Sequence, residues 1–188
     1  IFSSTQQMSE NIKRFKGIRF NPEKAAIEKC AAPPYDVFNY GDPLDRKLRS
    51  YPYNIVHIQK PLGKGDSMYK TARKTFERYL KDNILITEKK EGVYIIKQSW
   101  QNNRRTGFIA TVKLDEKYER IRRHEKTKPG PIKDRLQLTI ETGLNIGCIF
   151  VVFEDSERKV TEFLKSELRR NKPLYDFRFP ENIRNRVC

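Results

Sequence analysis

Two runs rich in β-branched and aromatic residues stand almost back to back, GVYIIKQSW at 92–100 and TGFIATVKL at 106–114, joined only by QNNRR. A parallel pairing needs a crossover of a dozen or more residues, which this link cannot supply. The runs are therefore expected to pair as an antiparallel hairpin, which excludes a purely parallel, doubly wound sheet.

Amphipathic helices must cover that sheet. In DSMYKTARKTFERYLKD, Asp66 serves as a cap, and Met68, Tyr69, Ala72, Phe76, Tyr79 and Leu80 share one face at helical spacing. IKDRLQLTIETG predicts a second helix that stops at Gly143, and SERKVTEFLKSELRR a third with Val160, Phe163, Leu164 and Leu168 on its apolar face. A short helix is expected over Leu44–Ser50. Further strands are expected at Ile12–Phe20, in the buried run YNIVHI, and in IGCIFVVF (146–153), an almost wholly apolar strand of a central sheet. The fold class is α+β (mixed α/β): a mixed sheet with an antiparallel hairpin, flanked by helices. Residues 1–11 are expected to form a flexible N-terminal extension, 12–170 the α+β domain, and 171–188 the start of a truncated C-terminal part. The chain opens on Ile1 and stops at NIRNRVC, as a fragment would.

With 37% hydrophobic and 11% aromatic residues, the 188-residue chain can bury a core and is not a disordered polyanion binder. Its net charge of +15 attracts nucleic acid, acidic surfaces or phosphorylated ligands. Lys and Arg are spread along the sequence rather than gathered in a polybasic arm. Cys30, Cys148 and Cys188 form neither a disulfide framework nor a CxxC metal pair. That pattern suits a reducing, cytoplasmic compartment, with Cys148 expected to be a buried thiol. No apolar stretch approaches the ~20 residues of a membrane helix, so no membrane partner is expected.

The chemistry concentrates in loops. RRHEKTKPGPIKDR (122–135) places His124, a proton carrier near neutral pH, beside Glu125, a candidate base. Lys128 stands where an HExxH zinc helix would need its second histidine, so no dedicated metal site is expected. Lys126, Lys128 and the N–H groups opening the next helix suit an anion. APPYDV offers Tyr35 and Asp36 on a stiff Pro33-Pro34 support, and PLGKGDS is a glycine-bearing loop without the Walker spacing. The ordinary reading of each is a solvated charged turn, and His57 reads as a satisfied core histidine.

Taken in order, FKGIRFNPEK, APPYDV, YNIVHI, HEKT, KDR and IFVVF resemble the bacterial and archaeal family catalogued as domain of unknown function ten-fifteen. The resemblance runs from Ile12 to the end of the chain. Members are roughly twice this length, and their C-terminal half carries an ADGHHR motif that is absent here. That motif is similar to the phosphate-handling GHHR of ParB, sulfiredoxin and free-serine kinases. The resemblance therefore implies a nucleotide-dependent phosphotransferase acting on a small hydroxylated metabolite, with ATP or ADP and Mg²⁺. It singles out Pro33, Pro34, Tyr35 and Asp36, then His124, Glu125 and Thr127, then Asp134 and Arg135. Within that picture His124, Glu125 and Asp36 are the catalytic candidates. Tyr35, Thr127, Lys128, Asp134 and Arg135 are candidates for binding substrate or phosphate. The alternative expectation is a basic nucleic-acid-binding or interaction module without catalysis.

Overall fold

A computed structural model describes residues 11–114, 121–122, 127–180 and 182–188. The chain divides into two compact units, each built from separated stretches: Ile1–Gly17, Thr87–Lys126 and Ile149–Cys188 form one, and Ile18–Ile86 with Thr127–Cys148 the other.

The first unit contains the hairpin. β4 (Tyr94–Trp100) pairs antiparallel with β5 (Asn103–Ile109) over a two-residue turn, because Trp100 faces Asn103 and Gln101 takes φ 48°. Asn103, Arg104 and Arg105, expected in the link, thus belong to β5. The other edge of β4 pairs with β8 (Arg184–Val187), which pairs in turn with β7 (Tyr175–Arg178). The order β5-β4-β8-β7 is antiparallel throughout, not mixed. The short strands β1 (Ile12–Lys13) and β6 (Thr111–Val112) form a separate antiparallel pair. A helix over Lys159–Arg170, labelled α6 below, buries Leu164 and Leu168 against Ile95, with Phe108, Val160 and Cys188 around them. Asp155 holds its start, accepting from the amides of Val160 (3.2 Å) and Thr161 (2.8 Å).

One expectation fails in this unit. IGCIFVVF forms no strand, and its residues Ile149 and Val152 are 82% and 74% exposed. Cys148 is exposed rather than buried. The run lies along β5 through side chains alone: the Phe153 and Phe108 rings are 6.0 Å apart, and the Arg105 guanidinium sits 5.1 Å from the Phe150 ring. Apolar character states a preference for burial but names no hydrogen-bonding edge, and β4 takes β8 as its second neighbour instead.

The second unit is mostly helical. It holds α1 (Ile27–Cys30), α2 (Pro43–Arg49), α3 (Val56–Gln59), α4 (Asp66–Lys81) and α5 (Pro129–Thr142), with α6 above completing the series in the other unit. β2 (Ile18–Phe20) and β3 (Leu85–Thr87) pair at one side. The expected single strand Ile12–Phe20 is thus split between β1 and β2. YNIVHI is a helical turn, α3, not a strand. Asn54 explains the difference: its Oδ1 accepts from the Val56 amide at 2.8 Å, while its Nδ2 donates to the carbonyls of Lys29 and Ala31. Tertiary hydrogen bonding outweighs β-branched propensity over so short a run. The core gathers Cys30, Ile58, Ala72, Tyr79, Ile84, Leu85 and Leu138. The apolar face of α4 therefore packs as its spacing predicts, and α5 stops at Gly143 in the left-handed region (φ 69°).

Among the described residues no helix is long and apolar enough to cross a membrane.

Candidate functional site

Within the second unit, a loop and a helix that are far apart in sequence meet at one side chain. Arg135, in the second turn of α5, lays its guanidinium 3.9 Å from the centre of the Tyr35 ring. Its Nη1 donates to the Gln59 carbonyl at 2.7 Å, and its Nε donates to Asp134 Oδ2 at 2.9 Å. Gln59 in turn donates from Nε2 to the Pro33 carbonyl at 2.7 Å. The APPYDV loop is thereby tied to the KDR segment through stacking and through the end of α3. The residues Tyr35, Asp134 and Arg135, singled out in the sequence, form one cluster.

Lys60 secures the loop from below. It is 9% exposed, and its ammonium donates to the carbonyls of Tyr35 (2.7 Å) and Phe38, lying 4.4 Å from the Phe38 ring centre and 4.9 Å from that of Tyr40. Arg49 continues the network, donating to Asp45 Oδ1 at 2.8 Å and to the Lys60 carbonyl at 2.7 Å. Burial alone would raise the Asp45 carboxyl, but Arg49 and the Gly41 amide outweigh it and hold the pKa below the usual carboxylate range.

Asp134 faces the other way as well. Its Oδ1 accepts from the Tyr69 hydroxyl at 2.8 Å. Partial burial, followed by that bond to a carboxylate, raises the Tyr69 phenol above its ordinary value, so the proton stays on Tyr69. Beside this pair opens a cavity of about 520 Å³ lined by Gly65, Asp66, Tyr69, Gly130, Lys133, Asp134 and Gln137. It lies at the first turns of both α4 and α5. Neither helix start carries a side-chain cap: Asp66, expected to cap α4, is instead its first helical residue, with Gly65 at the cap position, and a Cβ at Gly65 or at Gly130 would meet nothing within 4 Å. Pro129 and Pro131 remove two donors from the α5 start, so the free amides there come mainly from α4.

The remaining candidates stand apart from this cluster. Asp36, Thr127 and Lys128 are exposed, and among the described residues no hydrogen bond joins them to it. His124 and Glu125 lie outside the described residues. His57, expected as a core histidine, is half-buried: burial lowers its pKa, and its Nε2 lies 3.0 Å from the Tyr51 carbonyl. Reasoning from sequence misses Tyr69, Asp66, Lys133, Gln137 and Lys60 as site residues. Helical spacing assigns Tyr69 wholly to the core. Lys60 does leave a signal, a lysine directly closing the apolar run NIVHIQ.

The profile of a family described as a protein of unknown function, DUF1015, matches residues 12–188. The chain belongs to this family. No curated protein and no solved structure matches it. The DUF1015 match spans both units, so the Tyr35–Arg135–Asp134 cluster and the cavity beside it lie within the family domain.

Proposed function

We propose that this chain is the N-terminal part of a nucleotide-dependent phosphotransferase acting on a small hydroxylated metabolite, and that the cavity between the α4 and α5 starts receives the phosphate-bearing ligand. The observation that carries this reading is the composition of that cavity: two carboxylates, one ammonium and the uncapped start of a long helix around about 520 Å³. A helix start and Lys133 favour a phosphate group. Asp134, held by hydrogen bonds from Tyr69 and Arg135, would orient a hydroxyl. Phosphoryl transfer asks little of a protein beyond such positioning and charge compensation.

Magnesium fits on limited terms. Among the described residues no group of three or more His, Cys, Asp or Glu could hold a metal by itself. Mg²⁺ is commonly held by one or two carboxylates together with substrate phosphates. Asp66 and Asp134 would supply those carboxylates, and the ion would neutralise phosphate charge. His124 and Glu125 remain the proposed acid–base pair, Asp36 a third catalytic candidate, and Thr127 and Lys128 flanking phosphate ligands.

Titration calorimetry of the full-length family protein with Mg-ATP and Mg-ADP tests the reading. The expected result is binding that Asp134→Asn weakens at least ~10-fold, equivalent to about 1.4 kcal/mol. Absence of binding by either nucleotide overturns the proposal.

A further inference from the structure

The sheet of the first unit carries a charge pattern that the cavity does not use. Register places Ile95, Lys97 and Ser99 on one face of β4, since side chains alternate. Across the strands, Ser99 stands between Arg104 and Arg184, and Arg184 faces Arg178. One rung inward, Lys97 stands between Thr106 and Arg186, and Arg186 faces Asp176. The next rung is Ile95 with Phe108, where α6 packs. Beyond the helix, this face therefore carries five cations and one carboxylate over four strands, with Lys97 and Arg186 half-buried and the other three cations exposed.

Two of the cross-strand pairs, Lys97 with Arg186 and Arg178 with Arg184, set like charges directly opposite one another. Such pairs destabilise a sheet unless something offsets the repulsion. Asp176 offsets only part of it, since both its oxygens accept from Arg184, from Nε and from Nη2, at 2.7 Å each. Arg186 is left half satisfied: its Nη2 reaches the Asn171 carbonyl at 3.5 Å, and its Nε has no partner among the described residues. Arg104, Arg178 and Arg184 are exposed. Four strands at ~4.8 Å spacing make the row about 14 Å wide, long enough to meet two or three successive phosphates of an extended strand. No aromatic ring stands on either charged rung, so the face offers charge without base stacking.

We infer that this face is a docking surface for the phosphate backbone of single-stranded nucleic acid, bound without regard to sequence. The reading is independent of the cavity in the other unit, and either can fail alone.

The test is fluorescence anisotropy of the chain with a labelled oligo-dT strand, titrated at salt from ~50 to ~200 mM. Wild type should bind at low salt and weaken steeply as salt rises. The variant Lys97→Gln/Arg104→Gln/Arg178→Gln should lose affinity and flatten the log–log salt slope by about 2, since each phosphate neutralised on a single strand adds ~0.7 to that slope. Removing the same charge from α4, as Lys70→Gln/Lys74→Gln/Lys81→Gln, should leave the slope unchanged. The charge-conserving Lys97→Arg/Arg104→Lys/Arg178→Lys should bind as wild type, which separates loss of charge from loss of fold. Equal weakening by the α4 variant means diffuse charge attraction and overturns the inference. So does absence of oligo-dT binding at low salt, including the case in which the chain sediments with phosphatidylserine vesicles instead.

Discussion

Arg135 holds three partners at once: a ring face, a main-chain carbonyl and a carboxylate. Lysine can replace its charge but not its planar fork. Arg135→Lys should therefore loosen the APPYDV loop, and Arg135→Ala should cost about 2 kcal/mol, from a charged hydrogen bond and a stacked cation. Urea unfolding of both variants checks the ranking, and an alanine variant as stable as wild type would show the clamp to be idle. Tyr69→Phe is a finer probe. It removes only the hydroxyl that donates to Asp134, so a small stability loss of about 1 kcal/mol should accompany a larger loss of nucleotide affinity. His57 sets a pH dependence. Its folded pKa lies below the ordinary value because burial disfavours the imidazolium, an effect reinforced by Arg49 and Arg78 and opposed by Asp45 and the Tyr51 carbonyl. The unfolded chain then binds the proton more readily. Stability is full above the unfolded value of about 6.5 and declines as pH falls toward the folded one. In melts across that window, His57→Gln should show a flatter decline.

At the scale of elements, α3 depends on Asn54 more than on its own residues. That side chain is 1% exposed and makes three hydrogen bonds, two of them to carbonyls at the end of α1. Asn54→Ala should cost about 3 kcal/mol, because the carbonyls of Lys29 and Ala31 lose a donor in a place that water reaches poorly. Chemical denaturation measures this, and Asn54→Asp should be nearly as damaging since it cannot donate to either carbonyl. The same element shows where sequence reading stops. Long amphipathic patterns carry their own evidence, so α4, α5 and α6, the hairpin and the Gly143 stop are all legible as elements, though only α4 nearly to the residue: α5 starts earlier and α6 later than expected, and the hairpin takes Asn103–Arg105 out of its link. YNIVHI is not, because its conformation is decided by hydrogen bonds to residues more than twenty positions away. At the site, Tyr35, Asp134 and Arg135 are legible as types at suggestive positions. That they touch is not, for stacking across a loop and a helix leaves no local period. Tyr69 illustrates a further limit: a phenol at a core-facing position contributes its ring to packing and its hydroxyl to Asp134, and spacing records only the first.

Over the whole molecule, the exposed run Ile149–Val152 is the feature most at odds with a solvated surface. Four consecutive apolar residues, 49–82% exposed, give water a contiguous apolar patch. The chain should bind the dye anilinonaphthalene sulfonate in its folded state, and Ile149→Lys/Val152→Lys should remove most of that signal without lowering the melting temperature by more than a few degrees. Unchanged fluorescence would place the apolar surface elsewhere.

The sheet order also bears on how the chain comes into being. β8, the last of the sheet's strands to be made, lies between β4 and β7, so Gln98 must wait for Asn185 before the bond between their side chains can close. The stretches of the helical unit, Ile18–Ile86 and Thr127–Cys148, all precede β7 and β8 in the chain. During synthesis that unit is free to fold first, while the β4–β5 hairpin stands with an open edge until β8 leaves the ribosome. Such a delay is the kinetic penalty of non-local pairing. Pulse-labelled hydrogen exchange on refolding protein should accordingly show α4 and α5 amides protected before those of β8, and simultaneous protection would mean that the sheet does not wait.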